Sequence, residues 1–366
     1  MTHLKQIAFV LESFALQTPG QQLLDRFLTG YPRDGAFHRL ENCRVSTYVA
    51  SPADNPELAQ RERDFGLRVH REIHQAIAGA DGVVVAWQGS GAEAKDELLK
   101  ETLQRVDRGT RCFVHGALSA SLAGAHEIER LAASRRAALL AGTPLGVTWR
   151  LPQVEIPKGT PLKEALVVVQ GKSPAAEFEG LETLLPLIER RPRGESGIRK
   201  VQLLRGNDLW KAGEAGQWSW PLLAAALSRS DSPQGDPVMD GRTQDLAGLG
   251  LVPKLAREPR GWIMEHEDGM RSTILVLDGV VADYNFAVRT ADGRMISAQI
   301  YRPPAPGEHH FTRLAEVIEG FFRTGRRPWP LERSVLIAGI LDFFRNRAEQ
   351  TTASIETPHL KIPYAL

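Results

Sequence analysis

The chain has 366 residues, a length typical of two domains. Its 45 basic and 44 acidic residues give a formal net charge of +1, so the charge gives no reason to expect a nucleic acid or an anionic membrane as a partner. No apolar run reaches the roughly 20 residues that span a bilayer, and the first residues lack a hydrophobic signal core, so we expect a cytoplasmic protein.

Strand-like and helix-like segments alternate over residues 1 to about 150. The predicted strands are Ile7–Leu11, Cys43–Val49, Gly82–Trp87, Arg111–Val114 and Pro144–Trp149, and the predicted helices are Gly20–Leu28, Glu57–Phe65, Arg71–Ile77, Ala92–Val106 and Ala125–Ala137. This alternation favours a doubly wound parallel sheet, so we predict an α/β, Rossmann-like domain over residues 1–150. Ligands of such a sheet bind at the carboxyl ends of its strands.

The turn after the first strand lacks the glycines that a dinucleotide needs. Between Glu12 and Gly20 only Gly20 is a glycine, and Phe14 adds bulk. Small residues in this turn let backbone N–H groups approach a pyrophosphate closely. The sequence therefore predicts a degenerate nucleotide site, and Thr18, Gly20 and Asp54 are cofactor-binding residues only if a nucleotide binds.

The second part of the chain has a different pattern. A segment rich in proline and glycine, residues 152–161, precedes several strand-like runs that are joined by glycine turns. We predict an α+β domain over residues 151–366 whose open antiparallel sheet leaves one face free. The C-terminal helices, His310–Phe322 and Leu331–Asn346, and the tail are expected to pack back on the first domain. The free face would form contacts between copies, so we expect a homodimer or a homotetramer.

The C-terminal third resembles the Gfo/Idh/MocA family of sugar and inositol dehydrogenases. The resemblance rests on residues 311–322, Thr324-Gly325, residues 333–347 and residues 355–358, which follow the family's order of helix, TG turn, second helix and short tail. Residues 142–152 and 218–235 also look like a poorly characterised bacterial subgroup. The resemblance implies the two-domain fold above and, in the family's usual form, NAD(P)-dependent oxidation of a sugar or polyol.

The residues that the resemblance marks as functional are altered in this chain. Where the family has a lysine motif after a strand, this sequence has His115-Gly116-Ala117. Where the family has a catalytic histidine after a glycine, this sequence has Gly180-Leu181-Glu182. The acid that binds ribose in the family is missing from the end of the second strand, and Asp54 comes a few residues late. Together with the glycine-poor turn, these changes suggest a different use of the fold.

Three residues are candidates for catalysis. Glu182 takes the place of the histidine on an apolar helix, and a pocket that raised its pKa would make it a general base. Lys172 precedes that helix and could replace the missing lysine, although a solvated loop lysine is the simpler interpretation. His266 ends a predicted strand, where we expect it to face the open sheet, and it suits a proton shuttle, although a single histidine is more often structural.

Four further residues are candidates for substrate binding. Trp149 and Arg150 lie where one domain gives way to the next, and they could stack on a sugar face and bind a carboxylate or a phosphate. The alternatives are a core tryptophan and a structural ion pair. His115 stands at a strand end, and Glu177 opens the Glu182 helix, where an acid also stabilises the helix dipole.

No metal site is expected. The ten histidines are scattered along the chain, and no HxH, HExxH or CxxC pattern occurs. A site built from Glu177, Glu182 and His266 is conceivable in space, but the spacing of these residues does not support it.

Three functions stay open at this point. The first is a carbohydrate-modifying enzyme with acid–base chemistry of the lyase, epimerase or isomerase type, in which Glu182 is the base and Arg150, Lys172 or His266 stabilises an enolate. The second is an NAD(P)-dependent sugar or polyol oxidoreductase with an atypical cofactor loop. The third is a non-catalytic binding or partner subunit.

Overall fold

The computed structural model describes residues 3–51, 55–88, 92–171, 175–232, 245–303, 308–346 and 353–366. The chain divides into two compact units. The first unit contains Met1–Pro144 and Pro303–Ala338, and the second contains Leu145–Arg302 and Gly339–Leu366. Among the described residues, we find no helix with the length and apolar character that a membrane crossing requires.

A six-stranded parallel sheet forms the centre of the first unit. Its strands are β1 (Gln6–Leu11), β4 (Arg44–Val49), β5 (Arg68–His70), β6 (Gly82–Ala86), β7 (Arg111–His115) and β8 (Ala138–Gly142), and a separate hairpin is formed by β2 (Tyr31–Arg33) and β3 (Ala36–His38). The order across the sheet is β5-β4-β1-β6-β7-β8, and every neighbouring pair is parallel. This order reverses between β1 and β6, as in a Rossmann fold, so the predicted fold class is confirmed for this unit.

Five helices connect these strands. They are α1 (Pro19–Thr29), α2 (Pro56–Phe65), α3 (Ile73–Ile77), α4 (Ala92–Arg105) and α5 (Leu122–Ser134). All residues of β6 are buried, which fits the continuous apolar run of a parallel strand that is covered on both faces. The predicted strand Pro144–Trp149 is wrong, because Pro144–Gly146 forms a single helical turn there. Pro144 has no N–H to donate to a strand neighbour.

The second unit is built on an eight-stranded mixed sheet. Its strands are β9 (Arg150–Leu151), β10 (Leu162–Val169), β11 (Ile198–Arg205), β12 (Arg257–His266), β13 (Arg271–Asp278), β14 (Tyr284–Thr290), β15 (Met295–Ile300) and β16 (Ile355–Glu356). The order across the sheet is β16-β11-β12-β13-β10-β14-β15-β9. β10 and β13 are parallel, and the other neighbouring pairs are antiparallel. The α+β prediction is confirmed, and the sheet is mixed where a purely antiparallel one was expected.

Helices cover both faces of this sheet. The helices are α6 (Ala176–Ile188), α7 (Gly206–Glu214), α8 (Trp220–Leu227) and α9 (Val252–Leu255). Leu275 and Leu277 of β13 pack in one core with α7 and α8, while Ile274 of the same strand contacts Gly180 of α6. Successive residues of a strand point to opposite faces, so α6 lies on one face and α7 and α8 lie on the other. The expectation of a free face is therefore wrong, because the central strands are apolar on both faces.

Two helices follow β15 in the sequence, α10 (His310–Thr324) and α11 (Leu331–Asn346). α10 packs on the parallel sheet of the first unit, where the ring of Phe322 lies so close to Gly82 that a Cβ at this glycine would be 2.3 Å from it. The side chain of Trp329 donates a hydrogen bond from Nε1 to the carbonyl oxygen of Ala141, 3.0 Å away. These contacts position α10 along the sheet, with its first residues near the carboxyl end of β7.

Candidate functional site

The carboxyl end of β1 carries an acidic residue at the point where the strand order reverses. Glu12 follows β1, and its Oε2 accepts a hydrogen bond from the backbone N–H of Gln88, 3.0 Å away, just beyond β6. The Glu12 backbone forms hydrogen bonds at the ends of both strands that flank β1. Its N–H donates to the carbonyl oxygen of Ala86 in β6, and its carbonyl oxygen accepts from the N–H of Ser51, beyond β4. A carboxylate thus lies in the crevice where ligands of such sheets bind.

A phenylalanine fills the turn that follows. Phe14 is buried, and the amide of Asn55 donates to its carbonyl oxygen at 2.5 Å. The guanidinium of Arg61 stands 5.5 Å from the centroid of the Phe14 ring. The turn is therefore packed by its own side chains.

The N-terminus of α1 is capped from within the chain. Thr18 is the N-cap residue, and its hydroxyl oxygen accepts from the N–H of Gln21 at 3.2 Å. The side chain of Gln21 accepts in turn from the N–H of Gln17 at 2.9 Å. Gly20 allows close packing, because a Cβ there would lie 3.1 Å from a methyl group of Leu11. Asp54, the third conditional cofactor residue, lies outside the described residues.

These residues do not fit the pyrophosphate of a dinucleotide. The site needs exposed backbone N–H groups and room for an anion, and here the donors of Gln17 and Gln21 are engaged by side chains. Glu12 adds a negative charge and Phe14 occupies volume. Gly20 alone keeps a role that glycine has in such turns, which is close packing of helix on strand.

His115 lies at the carboxyl end of β7 with its ring stacked on Phe311, the centroids 5.9 Å apart. Its Nε2 is buried and has no hydrogen-bond partner among the described residues. Burial and the nearby ammonium of Lys95 lower the pKa of His115 to about 3. Lys95 donates to the carbonyl oxygen of Ala117. The imidazole is therefore neutral at pH 7 and can take part in hydrogen bonds but carries no charge.

In the second unit a polar network lies where α6 meets the sheet. Tyr284, the first residue of β14, donates its hydroxyl proton to Oε2 of Glu179 on α6 at 2.8 Å. The same hydroxyl oxygen accepts from Gln170 at 2.7 Å and from Nη1 of Arg302 at 2.5 Å. Burial and Glu179 raise the pKa of Tyr284 well above its usual value, so the phenol stays protonated.

Gly180 allows α6 to approach the sheet this closely. A Cβ at Gly180 would lie 2.6 Å from a side-chain carbon of Ile274. Glu179 is the next residue, so the close approach also brings its carboxylate to Tyr284. A glycine inside a helix costs about 1 kcal/mol relative to alanine, and here the contact explains its presence.

Arg150 and Arg302 lie on the same side of this sheet as Tyr284. The guanidinium of Arg302 is 5.3 Å from the centroid of the Tyr284 ring, and that of Arg150 is 5.8 Å from the centroid of Phe286. Nη1 of Arg150 lies 3.3 Å from Oε2 of Glu155. Burial lowers the pKa of Arg150, but its guanidinium remains charged at pH 7.

The other candidates of this unit lie apart from the network or deep in the core. Trp149 is half-exposed, and its ring meets that of Tyr301 edge to face at 6.2 Å. Glu177 forms an ion pair with Arg260 at 2.6 Å. Glu182 is buried within α6. Lys172 lies outside the described residues.

His266 is fully buried in a chain of hydrogen bonds. Its Nδ1 lies 2.8 Å from Oε1 of Glu195, and its Nε2 lies 2.8 Å from the hydroxyl of Ser272. Burial alone would raise the pKa of Glu195, but His266 and Arg191 outweigh it and hold the pKa at about 2. His266 does not face an open sheet, and its contacts are those of a structural residue.

Glu179, Tyr284, Arg302 and Gln170 form the cluster that sequence reasoning missed. Glu179 was visible as an acid in the first turn of a helix, which the helix dipole alone explains. Tyr284 is the first residue of β14, and Arg302 follows β15, the second strand of the same hairpin. Their positions in the sequence give no sign that they lie near Glu179. Across the described ranges no group of three or more His, Cys, Asp or Glu side chains is arranged to hold a metal ion.

Comparisons by sequence find neither a matching family model nor a matching curated protein. Comparisons by structure find similar folds. Scyllo-inositol dehydrogenase from Lactobacillus casei, with bound NAD(H) and scyllo-inositol, has a TM-score of 0.61 at 10% identity over 96% of this chain and 99% of its own. A probable dehydrogenase from Thermotoga maritima has a TM-score of 0.59 at 11% identity over 97% of this chain and 99% of its own.

The chain has the fold of the Gfo/Idh/MocA dehydrogenases. Myo-inositol dehydrogenase from Lactobacillus casei, in complex with NAD(H) and myo-inositol, agrees with this at a TM-score of 0.57 and 13% identity, over 97% of each chain. The coverage is nearly complete in both directions, and the identity is low throughout, so this chain is a divergent example of the Gfo/Idh/MocA fold.

Proposed function

We propose that this protein modifies a sugar or keto-sugar by proton transfer and uses no dinucleotide. The single observation that carries the proposal is the carboxylate of Glu12, bound to the Gln88 N–H at the carboxyl end of β1. The fold supports a carbohydrate-related function, since neighbours of the same fold hold inositols in their crystals. The type of reaction, a lyase, an epimerase or an isomerase, is our inference from the side chains.

Charge and bulk at the turn after β1 both disfavour a dinucleotide. Two like charges about 4 Å apart repel by about 4 kcal/mol at an effective dielectric constant near 20, which is roughly a thousandfold in affinity. Glu12 would impose such a cost on a pyrophosphate at this crevice. Phe14 would have to leave its buried position as well, because it fills the turn.

Glu179, Tyr284 and Arg302 are the residues that would carry out proton transfer. Because the phenol of Tyr284 stays protonated, Glu179 is the group of this cluster that can accept a proton. Tyr284 holds the Glu179 carboxylate in place, and Arg302 supplies positive charge for an oxyanion that forms when a carbon loses its proton. In this proposal Glu179 takes the role that the sequence suggested for Glu182, and Glu182 stays the second candidate.

A second candidate function is an NAD(P)-dependent sugar or polyol oxidoreductase with an atypical cofactor loop. The observations that favour it are the reversal of strand order between β1 and β6 and the close packing of Gly20 on Leu11. The third candidate, a non-catalytic partner subunit, needs no convergent titratable groups. Assembly into a homo-oligomer stays a prediction for all three.

Incubation of the protein with sugars in heavy water tests the proposal. D-glucose, D-fructose, D-glucuronate and myo-inositol are incubated without nucleotide, and NMR follows the loss of carbon-bound protons. We expect exchange in at least one sugar, abolished by Glu179→Gln and retained by Glu214→Gln, an exposed acid at the end of α7. Reduction of added NAD or NADP with a sugar, and no exchange without nucleotide, would instead establish the second candidate. If neither proton exchange nor nucleotide reduction occurs, the result would favour the non-catalytic partner subunit.

A further inference from the structure

Two arginines lie on the face of the second sheet that also carries Tyr284, and among the described residues each is engaged at only one nitrogen. Arg302 contacts Tyr284 and Glu179 through Nη1, and Arg150 contacts Glu155 through Nη1. Within the described ranges, no partner is found for Nε of Arg150, which is buried. The edge formed by Nε and Nη2 is the one with which a guanidinium binds a carboxylate through two parallel hydrogen bonds.

The register of the strands places these arginines side by side. Arg150 of β9 pairs with Ile300 of β15, and Arg302 follows two residues later on the same side. The ladder continues past the strand end, because the N–H of Tyr301 donates to the carbonyl oxygen of Trp149 at 2.9 Å. Arg302 is therefore the diagonal neighbour of Arg150.

Aromatic rings hold both guanidiniums in fixed positions. Arg302 lies over Tyr284 and Arg150 over Phe286, and these rings are two residues apart on one face of β14. Stacking on a ring orients a planar guanidinium and leaves its edges free for hydrogen bonds. The local charge is positive, since Arg150, Arg190 and Arg302 share only the carboxylates of Glu155 and Glu179 within the part of the chain that the structure describes.

We propose that Arg150 and Arg302 form a binding site for the carboxylate of an acidic sugar, such as a uronic or aldonic acid. This inference rests on the proposed function, because it names the substrate class of the same site. Two fixed and half-engaged guanidinium edges on one face fit a single planar anion. A neutral polyol would bring no negative charge to these two edges.

A carboxylate also suits the proposed chemistry. It makes the neighbouring C–H bond easier to deprotonate, because the electron pair left behind moves onto the carboxylate oxygens. Arg150 and Arg302 would stabilise that charge, while Glu179 accepts the proton and returns it. No electrons leave the substrate, so the step needs no oxidant, and return of the proton from Glu179 to the same carbon exchanges that position with solvent.

Calorimetric titration with three related probes tests the inference. D-glucuronate, D-glucose and D-glucose 6-phosphate are titrated into the full-length protein at pH 7 and low salt. We expect D-glucuronate to bind at least tenfold more tightly than D-glucose, with D-glucose 6-phosphate between them. Equal binding of glucuronate and glucose, no binding of any probe to folded protein, or tightest binding of the phosphate would overturn the carboxylate site.

Two variants and a control make the test specific. Arg302→Lys keeps the positive charge and loses the planar guanidinium edge. The side chain of Arg302 is partly exposed, so we expect the variant to fold. Arg150→Met keeps the packing on Phe286. Each should reduce glucuronate affinity about tenfold or more and leave glucose affinity unchanged, while Arg294→Lys, an exposed arginine paired with Asp292, should change neither. Unchanged glucuronate affinity in both variants would contradict the site.

The outcomes separate this inference from the proposed function. If NAD binds and the glucuronate preference holds, the proposed function fails and the carboxylate site stands. If proton exchange occurs without nucleotide on neutral sugars and glucuronate shows no preference, the site fails and the proposed function stands.

Discussion

The crevice of the first unit and the α6 face of the second unit have opposite character. At the carboxyl end of β1, Glu12 and Phe14 fill the place of a ligand with contacts inside the chain. On the α6 face, Glu179, Tyr284 and Arg302 bring a base, a phenol and a cation together. In the proposed function, the turn after β1 is structural and the reactive side chains lie on the second sheet.

Substitution of Glu179 tests the α6 face and has the largest expected effect. Glu179→Gln keeps the size of the side chain and removes the proton acceptor, so the rate of proton exchange should fall by about 10²–10⁴. The measurement is deuterium incorporation by NMR, with circular dichroism to confirm folding. Glu182→Gln is the informative companion, because a larger loss there would move the base one turn along α6.

Substitution of Phe14 tests whether the turn after β1 is structural. Phe14→Ala removes a buried ring and should lower the free energy of unfolding by about 3–4 kcal/mol. Leu16→Ala, at an exposed leucine of the same turn, should change it by no more than about 0.5 kcal/mol. Urea unfolding measures both, and equal small effects would mean that the turn is loosely packed and open to a ligand.

Substitution of Glu195 tests the structural assignment of His266. The pKa of Glu195 is lowered from 4.5 to about 2, so the ionised carboxylate contributes about 3 kcal/mol of stability at neutral pH. Because the folded pKa lies below the unfolded one, this stability is present above about pH 5 and is lost as the pH falls towards 2. Glu195→Gln should remove it and flatten the acid dependence in urea unfolding.

A surface control and a catalytic readout complete that test. Glu356→Gln, which breaks an exposed pair with Lys200, should leave stability within about 1 kcal/mol. If His266 took part in catalysis, Glu195→Gln would shift the pH profile of proton exchange under conditions where the protein stays folded. A loss of stability with an unchanged pH profile supports the structural assignment of His266.

The sequence predicts the first unit well because its signals are local. The run Val83–Val85 reads as a buried parallel strand, and the bulky turn at Phe14 is visible without a structure. The hairpin of β2 and β3 also had a signal, the dipeptide Asp34-Gly35, where both residues have positive φ. The strands predicted from the sequence omit this hairpin, although its turn signal is local.

The second unit is harder to predict because its key contacts are distant in sequence. Glu179 and Tyr284 are 105 residues apart, and the docking of α6 through Gly180 brings them together. Arg302 joins them through the register of β15 on β14, which no local pattern reveals. The expected open face for His266 is wrong because β13 is apolar on both faces and is covered by helices on both.

Calorimetric titration of the wild-type protein with NAD and NADP tests the central claim most directly. The filled crevice predicts no saturable binding of either nucleotide at micromolar concentrations, because the Glu12 carboxylate repels a pyrophosphate and the buried Phe14 fills the turn. Saturable micromolar binding of NAD or NADP to the wild-type protein would contradict the account.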